Sequence, residues 1–374
     1  MTIWLQLSSI ELMLLTPIYD PSKSYEENFT NGPFGAFRDA KIHEDVGPPR
    51  YTFLGHSLYL PFGIPSGPLL NSRYIKAAFE KGFDVLHYKT QRTGVFQVND
   101  FPNILYVHPQ GDLTVEKTKN SLVGDTNLPS SITQLSITNS FGIPSLGPDF
   151  WQEDMKKAVS YARAGQVLIA SVVGTIREGM NEEAYFNDFA TAAKLASETG
   201  VKIIEINLSC PNVASEGVVC YTREFVNKIT QRSKEAIGNI HLLVKIGYYS
   251  LDQQELLEAI IEDISPFISG IAAINTLSAA VVTKKGEQAL PGKNRLKSGI
   301  CGASIKWAGL DMVQRLKTIR EKKEMKFSII GVGGVMVPED YDEYRESGAD
   351  LVQSATGAMW NPYLAQEVKA KSKK

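Results

Sequence analysis

A chain of 374 residues, 43% hydrophobic and 21% charged, has ordinary globular composition and the length of one large domain with additions, or of two small ones. Its formal net charge of −2 gives no electrostatic reason to expect nucleic acid as a partner. Three cysteines (Cys210, Cys220, Cys301) cannot close a disulfide framework and match no zinc spacing, and the five histidines are scattered, so a reducing compartment and no metal site are expected.

Residues 3–15 are apolar but interrupted by Gln6, Ser8, Ser9 and Glu11. They lack a basic flank and are too short to span a bilayer, so they read as a helix packed on the domain or on a partner, with no membrane role. Residues 1–50 form an extension rich in Pro, Gly, Asn and charge. From about residue 58, short β-branched or apolar runs alternate with amphipathic stretches of helical length. The predicted strands are 60–65, 84–89, 167–173, 202–209, 241–246, 270–276, 327–332 and 350–355, with helices such as 181–199, 223–237 and 251–264 between them. Strands apolar enough for burial on both faces predict a closed parallel barrel or a doubly wound sheet.

Two observations choose between these. Without the irregular stretch 91–135, the length from residue 51 onward is close to the roughly 250 residues of a (β/α)8 barrel. No GxGxxG follows the first strand, which argues against a dinucleotide fold. The expected fold is therefore α/β: a (β/α)8 TIM barrel over 51–374, with an N-terminal extension (1–50) and a long insertion (91–135) after strand two. An insertion of that length is expected to serve as a lid or partner surface. The basic tail, 369–374, reads as a solvated helix end.

In such a barrel, polar residues at the carboxyl ends of the strands line one common pocket. Those ends carry Pro65-Ser66-Gly67, Lys89-Thr90, Asn207 to Asn212, Lys245, Asn275-Thr276, Gly333-Gly334 and Ala355-Thr356. Asn139, within Ile137-Thr138-Asn139-Ser140-Phe141-Gly142, follows the insertion and is placed over the same pocket. Each has a bland explanation alone, since asparagine caps helices, glycine turns the chain and lysine snorkels. Their accumulation at strand ends argues for a site.

The most specific segment is Glu205-Ile206-Asn207-Leu208-Ser209-Cys210-Pro211-Asn212. Here the sequence resembles the dihydroorotate dehydrogenases, whose Asn-Leu-Ser-Cys-Pro-Asn signature is present entire. The resemblance extends over Pro65-Ser66-Gly67, Tyr88-Lys89-Thr90, Asn139-Ser140-Phe141-Gly142, Val244-Lys245, Asn275-Thr276 and Ile329 to Gly334. It implies FMN as cofactor and oxidation of dihydroorotate to orotate in pyrimidine biosynthesis. Cys210 would remove the carbon-5 proton while hydride leaves carbon 6 for the flavin, which requires a thiol whose pKa is brought near working pH. A cysteine in this place, where a related quinone-linked branch has serine, implies the soluble branch.

The same resemblance assigns the substrate to Asn139, Asn207, Asn212, Asn275 and Thr276, to backbone of Phe141, Gly142 and Ile143, and to Lys89 near its carboxylate. Neutral amides suit a cyclic ureide, whose edge alternates N–H and C=O. Lys89 and Lys245 would face the flavin, where positive charge stabilises the reduced anion. Pro65, Ser66, Gly67, Thr90, Asn207, Gly302, Gly333, Gly334, Ala355 and Thr356 complete the expected cofactor set, the glycines letting backbone N–H groups approach a phosphate. The sequence departs from the family after the signature, at Val213 to Val219, and in Cys301 and Ala355, which stand where glycine is usual. The resemblance implies a cytoplasmic homodimer that passes electrons to fumarate, a quinone or an iron–sulfur partner chain, fumarate being favoured. The competing readings are a uracil-type dihydropyrimidine dehydrogenase, a flavin-binding module without catalysis, and a non-redox phosphate-binding barrel.

Overall fold

The computed structural model describes residues 14–209, 219–293 and 295–372. Eight parallel strands close into a barrel: β1 (Phe62–Ile64), β2 (Val85–Gln91), β3 (Val167–Val172), β4 (Ile203–Asn207), β5 (His241–Ile246), β6 (Gly270–Ala273), β7 (Ser328–Val332) and β8 (Leu351–Gln353). Each pairs with its neighbour in chain order, and β8 pairs with β1 to close the ring. The predicted strands are these eight, the structure trimming several at their ends. Among the described residues, ten helices surround them or flank their termini: α1 (Tyr25–Asn31), α2 (Ser72–Glu80), α3 (Pro148–Ser160), α4 (Glu182–Ser197), α5 (Arg223–Ile237), α6 (Gln254–Ile264), α7 (Lys306–Lys322), α8 (Pro338–Ser347), α9 (Thr356–Trp360) and α10 (Leu364–Lys371).

Local chemistry sets the helix ends. Asn181 caps α4 by accepting the Ala184 N–H at 2.9 Å. Pro338 opens α8, whose Asp340 accepts the N–H groups of Met336 and Val337, and Gly348 ends it in the left-handed region.

Side-chain alternation divides the strands between two cores. Val85, Val167, Ile169, Ile203, Leu243, Ala272, Ile330 and Leu351 fill the barrel interior, and Phe53 and Leu58 from an amino-terminal hairpin (Tyr51–Phe53, His56–Leu58) plug its lower end. Leu86, Tyr88, Leu168, Ala170, Ile204, Ile206, Leu242 and Val244 face the helices.

The insertion after strand two contributes strands Tyr106–Val107 and Leu122–Asp125 to a second, smaller sheet. Ser136–Asn139, Leu277–Val282 and Lys297–Gly302 complete it as a closed ring of five short strands. The cap over the carboxyl end is thus assembled from two excursions, after β2 and after β6, of which only the first is evident in the sequence.

Two further expectations meet the structure differently. The helix expected at 3–15 falls almost wholly outside the described residues. Lys369 is no solvated tail lysine. It is 5% exposed, with Nζ 2.6 Å from Asp84 and 2.7 Å from Asp45, because α10 packs its inner face against the lower barrel end.

Candidate active site

Period-two geometry sorts the inward residues of the strands into layers. Below lie Val85, Val167 and Ile203; in the middle are His87, Ile169, Glu205 and Leu243; at the mouth are Lys89, Ser171, Asn207 and Lys245. The middle layer carries a buried polar knot. Glu205 is fully buried and accepts hydrogen bonds from Ser66 (3.2 Å) and Ser171 (3.1 Å), and Ser171 also meets Thr90 at 2.9 Å. His87 Nδ1 lies 3.5 Å from Glu205, too far for a good hydrogen bond. Burial pushes the Glu205 carboxyl upward, but His87, Lys245 and the Ser171 hydroxyl outweigh it and leave it at about 2. An anion therefore sits directly beneath the two mouth lysines.

Above this layer two clefts adjoin. The first is walled by apolar Leu70, Ile104, Ile137, Val332 and Met359, and Pro65, Lys245, Ala355 and Thr356 also line it. The second is polar and lined by Lys89, Thr90, Asn207, Gly142 and Ile143. Ser66, Gly67, Asn139, Phe141, Asn275 and Thr276 line both. Lys89 is 5% exposed, its Nζ 3.3 Å from the Gly67 carbonyl, 5.2 Å over the Phe141 ring and 5.8 Å over the Tyr25 ring.

Most of the residues anticipated from sequence are thus gathered at one barrel mouth. Gly302, Gly333 and Gly334 stand outside the two linings. Gly334, at φ +66°, packs so closely on Lys306 that a Cβ would lie 2.6 Å from its backbone nitrogen. Cys210 and Asn212 lie outside the described residues. Ser209, which immediately precedes Cys210, is held by Asn207, whose Oδ1 accepts its N–H at 3.1 Å, and by Asn275, whose amide donates to its carbonyl. Burial pushes the thiols of Cys220 and Cys301 up to about 11, so neither of the described cysteines is suited to accept a proton near neutral pH.

Some site residues escaped the sequence. Tyr19 and Tyr25 come from the extension, where no strand end pointed to them. His87 and Glu205 were legible: each lies two residues before a mouth residue, Lys89 or Asn207, and so shares its inward face.

The first cleft combines apolar walls with the Lys245 side chain. Thr276 adds a buried Oγ1 that has no hydrogen-bond partner among the described residues. The family model described as dihydroorotate dehydrogenase matches residues 117–373. A dihydroorotate dehydrogenase from Dictyostelium discoideum is 37% identical over 361 residues, 94% of this chain and 96% of its own. The chain belongs to the dihydroorotate dehydrogenase family. Among other relatives, the NAD-dependent dihydropyrimidine dehydrogenase subunit PreA from Escherichia coli (strain K12) is 27% identical over 324 residues, 84% of this chain and 70% of that one. The solved structure of DHODH from Eimeria tenella in complex with ferulenol shares the fold, with a TM-score of 0.68 over 89% of this chain and 87% of that one at 16% identity. Among the described residues, no helix is long and apolar enough to cross a membrane, and no group of three His, Cys, Asp or Glu could hold a metal ion.

Proposed function

We propose that this member of the dihydroorotate dehydrogenase family oxidises dihydroorotate to orotate in pyrimidine biosynthesis, with FMN in the apolar cleft and substrate in the polar one. The observation that carries the reading is the junction of the two clefts, where Asn139, Asn275 and Thr276 serve both and Lys89 stands beside them. FMN, when bound, supplies the two-electron acceptor. Pro65, Ser66, Gly67, Lys245, Ala355 and Thr356 would hold it, with Gly302, Gly333 and Gly334 nearby.

The protein's own part is to bind, orient and move one proton. Lys89 offers a buried cation to the substrate carboxylate. Asn139, Asn207, Asn212 and Asn275 read the ureide edge. Cys210 accepts the carbon-5 proton at Sγ, a role supported by the anchoring of Ser209 immediately before it. A cysteine in that place supports the cysteine-base branch, with fumarate as acceptor and a cytoplasmic homodimer as the working form. The insertion 91–135 acts as cover, a reading supported by its return along the substrate loop.

Anaerobic mixing of the FMN-loaded protein with dihydroorotate tests this. Dihydroorotate should bleach the flavin and fumarate should restore it. In Cys210→Ala the flavin should still bind, with bleaching slower by roughly a hundredfold or more. Faster bleaching by dihydrouracil than by dihydroorotate would transfer the assignment to the dihydropyrimidine reading.

A further inference from the structure

The segment Asn139–Ile143 has an unusual backbone. Gly142 is at φ +80° and Ile143 at φ +55°, a left-handed conformation that a β-branched residue rarely adopts without external support. That support comes from two buried arginines on opposite sides. Arg92, 1% exposed, donates through Nε to the Ile143 carbonyl at 2.9 Å and through Nη2 to the Gly142 carbonyl at 3.3 Å. Its Nη1 is tied to the loop after β3, at the Gly174 carbonyl (3.2 Å) and Thr175 Oγ1 (2.7 Å). Phe96 lies 4.0 Å beneath its guanidinium, and Trp151 Nε1 anchors its backbone carbonyl at 3.0 Å.

Arg295, 6% exposed, works from the cap. Its Nε donates to Ser140 Oγ and its Nη2 to the Ser140 carbonyl, both at 3.1 Å. The same guanidinium reaches the carbonyls of Asp100 (2.7 Å), Pro102 (3.0 Å) and Pro291 (2.5 Å). It thereby joins both cap excursions to the loop.

The direction of these bonds matters. A trans peptide sets its C=O and the following N–H on opposite sides. Phe141 gives its carbonyl to the Asn99 N–H at 3.0 Å, and Gly142 gives its own to Arg92. The N–H groups of Gly142 and Ile143 are therefore turned away from these partners, and both residues line the polar cleft. We infer that Arg92 and Arg295 are positioning residues that hold the Asn139–Ile143 loop in its left-handed form and so present two backbone N–H donors to the substrate's anionic group. This rests on the substrate reading above. Arginine suits the task because its planar fork spans adjacent carbonyls, whereas a lysine would keep the charge and lose the geometry.

The test compares FMN-loaded parent, Arg92→Lys and Arg295→Lys by orotate titration of the flavin spectrum, hydrogen exchange at Asn99 and over 139–146, and flavin reduction at saturating dihydroorotate. Each variant should keep its FMN. Orotate dissociation constants should rise about tenfold or more, as expected when charge-assisted hydrogen bonds that order a loop are lost. Exchange at the paired amides of Asn99 and Ser140 should quicken by a similar factor, while limiting reduction stays within about threefold of the parent, because the loop binds and does not react. Unchanged orotate affinity and exchange in both variants would overturn the clamp and leave the substrate reading standing. A parent protein blind to orotate would overturn both. Should either variant lose its fold, the parent still decides: without orotate the amides of Asn99 and Ser140, which are paired to Phe141 and Asn103, must be protected, and exchange at open-loop rates sinks the proposal.

Discussion

Replacing Glu205 with glutamine removes a fully buried carboxylate from among His87, Ser66, Ser171 and Lys245. Desolvation opposes its charge, yet His87, Lys245 and Ser171 together lower the carboxyl from 4.5 to about 2. At roughly 1.4 kcal/mol per pH unit, that depression is worth about 3 kcal/mol to the folded state. Loss of one partner from a buried ion cluster typically costs about 3–5 kcal/mol, in agreement. Because the folded value is the lower one, the contribution is complete above about pH 4.5 and disappears as pH falls through about 2. Urea unfolding of FMN-saturated parent and Glu205→Gln, followed by tryptophan fluorescence from about pH 7 to about pH 3.5, reads this directly. The parent should lead by about 3 kcal/mol at neutral pH, and its lead should narrow below about pH 4.5. A lead under about 1 kcal/mol at pH 7, or parallel stability curves down to the lowest pH, would refute the placement of an ionised carboxylate beneath the mouth lysines.

Two further substitutions probe the mouth and the floor of the barrel. Lys89→Ala should slow single-turnover flavin reduction by roughly a hundredfold and weaken orotate binding as well, since one buried charge is assigned to both tasks; an unchanged reduction rate would make it a packing lysine. Lys369→Met should destabilise by about 3–5 kcal/mol in thermal or urea unfolding, because Asp84 loses a buried counter-charge. Burial already pushes the Asp84 carboxyl up to about 7 against the pull of Lys369, so the variant should regain stability as pH falls from about 7 toward about 4, where Asp84 becomes neutral. A variant that only loses stability over that window contradicts the account.

The barrel was legible because burial on both faces writes itself into composition: β2 is buried at every position from Val85 to Gln91, and its inner face reads Val85, His87, Lys89 at period two. The mouth residues were legible for the same reason, since strand ends in such a barrel converge on one pocket. The cap was not. Tyr106–Val107 is a strand of two residues, too short for any period, and Ser136–Asn139 pairs with Lys297–Gly302 far along the chain. Lys369 was misread because its partner, Asp84, is 285 residues away, and a lone lysine in a basic tail has no local mark of burial.

The two loop-gripping arginines mark a different limit. A salt bridge can at least be suspected from a complementary charge, but Arg92 and Arg295 grip the loop largely through backbone carbonyls, which every residue carries. Nothing in the identity of Gly142, Ile143 or Pro102 advertises them as acceptors. What selects them is their direction, and direction arises only when the insertion, the β3 loop and the cap meet. The residues that line the mouth in this fold can therefore be read from strand ends, while those that hold them in place become visible only when the donors of each buried guanidinium are traced to their acceptors.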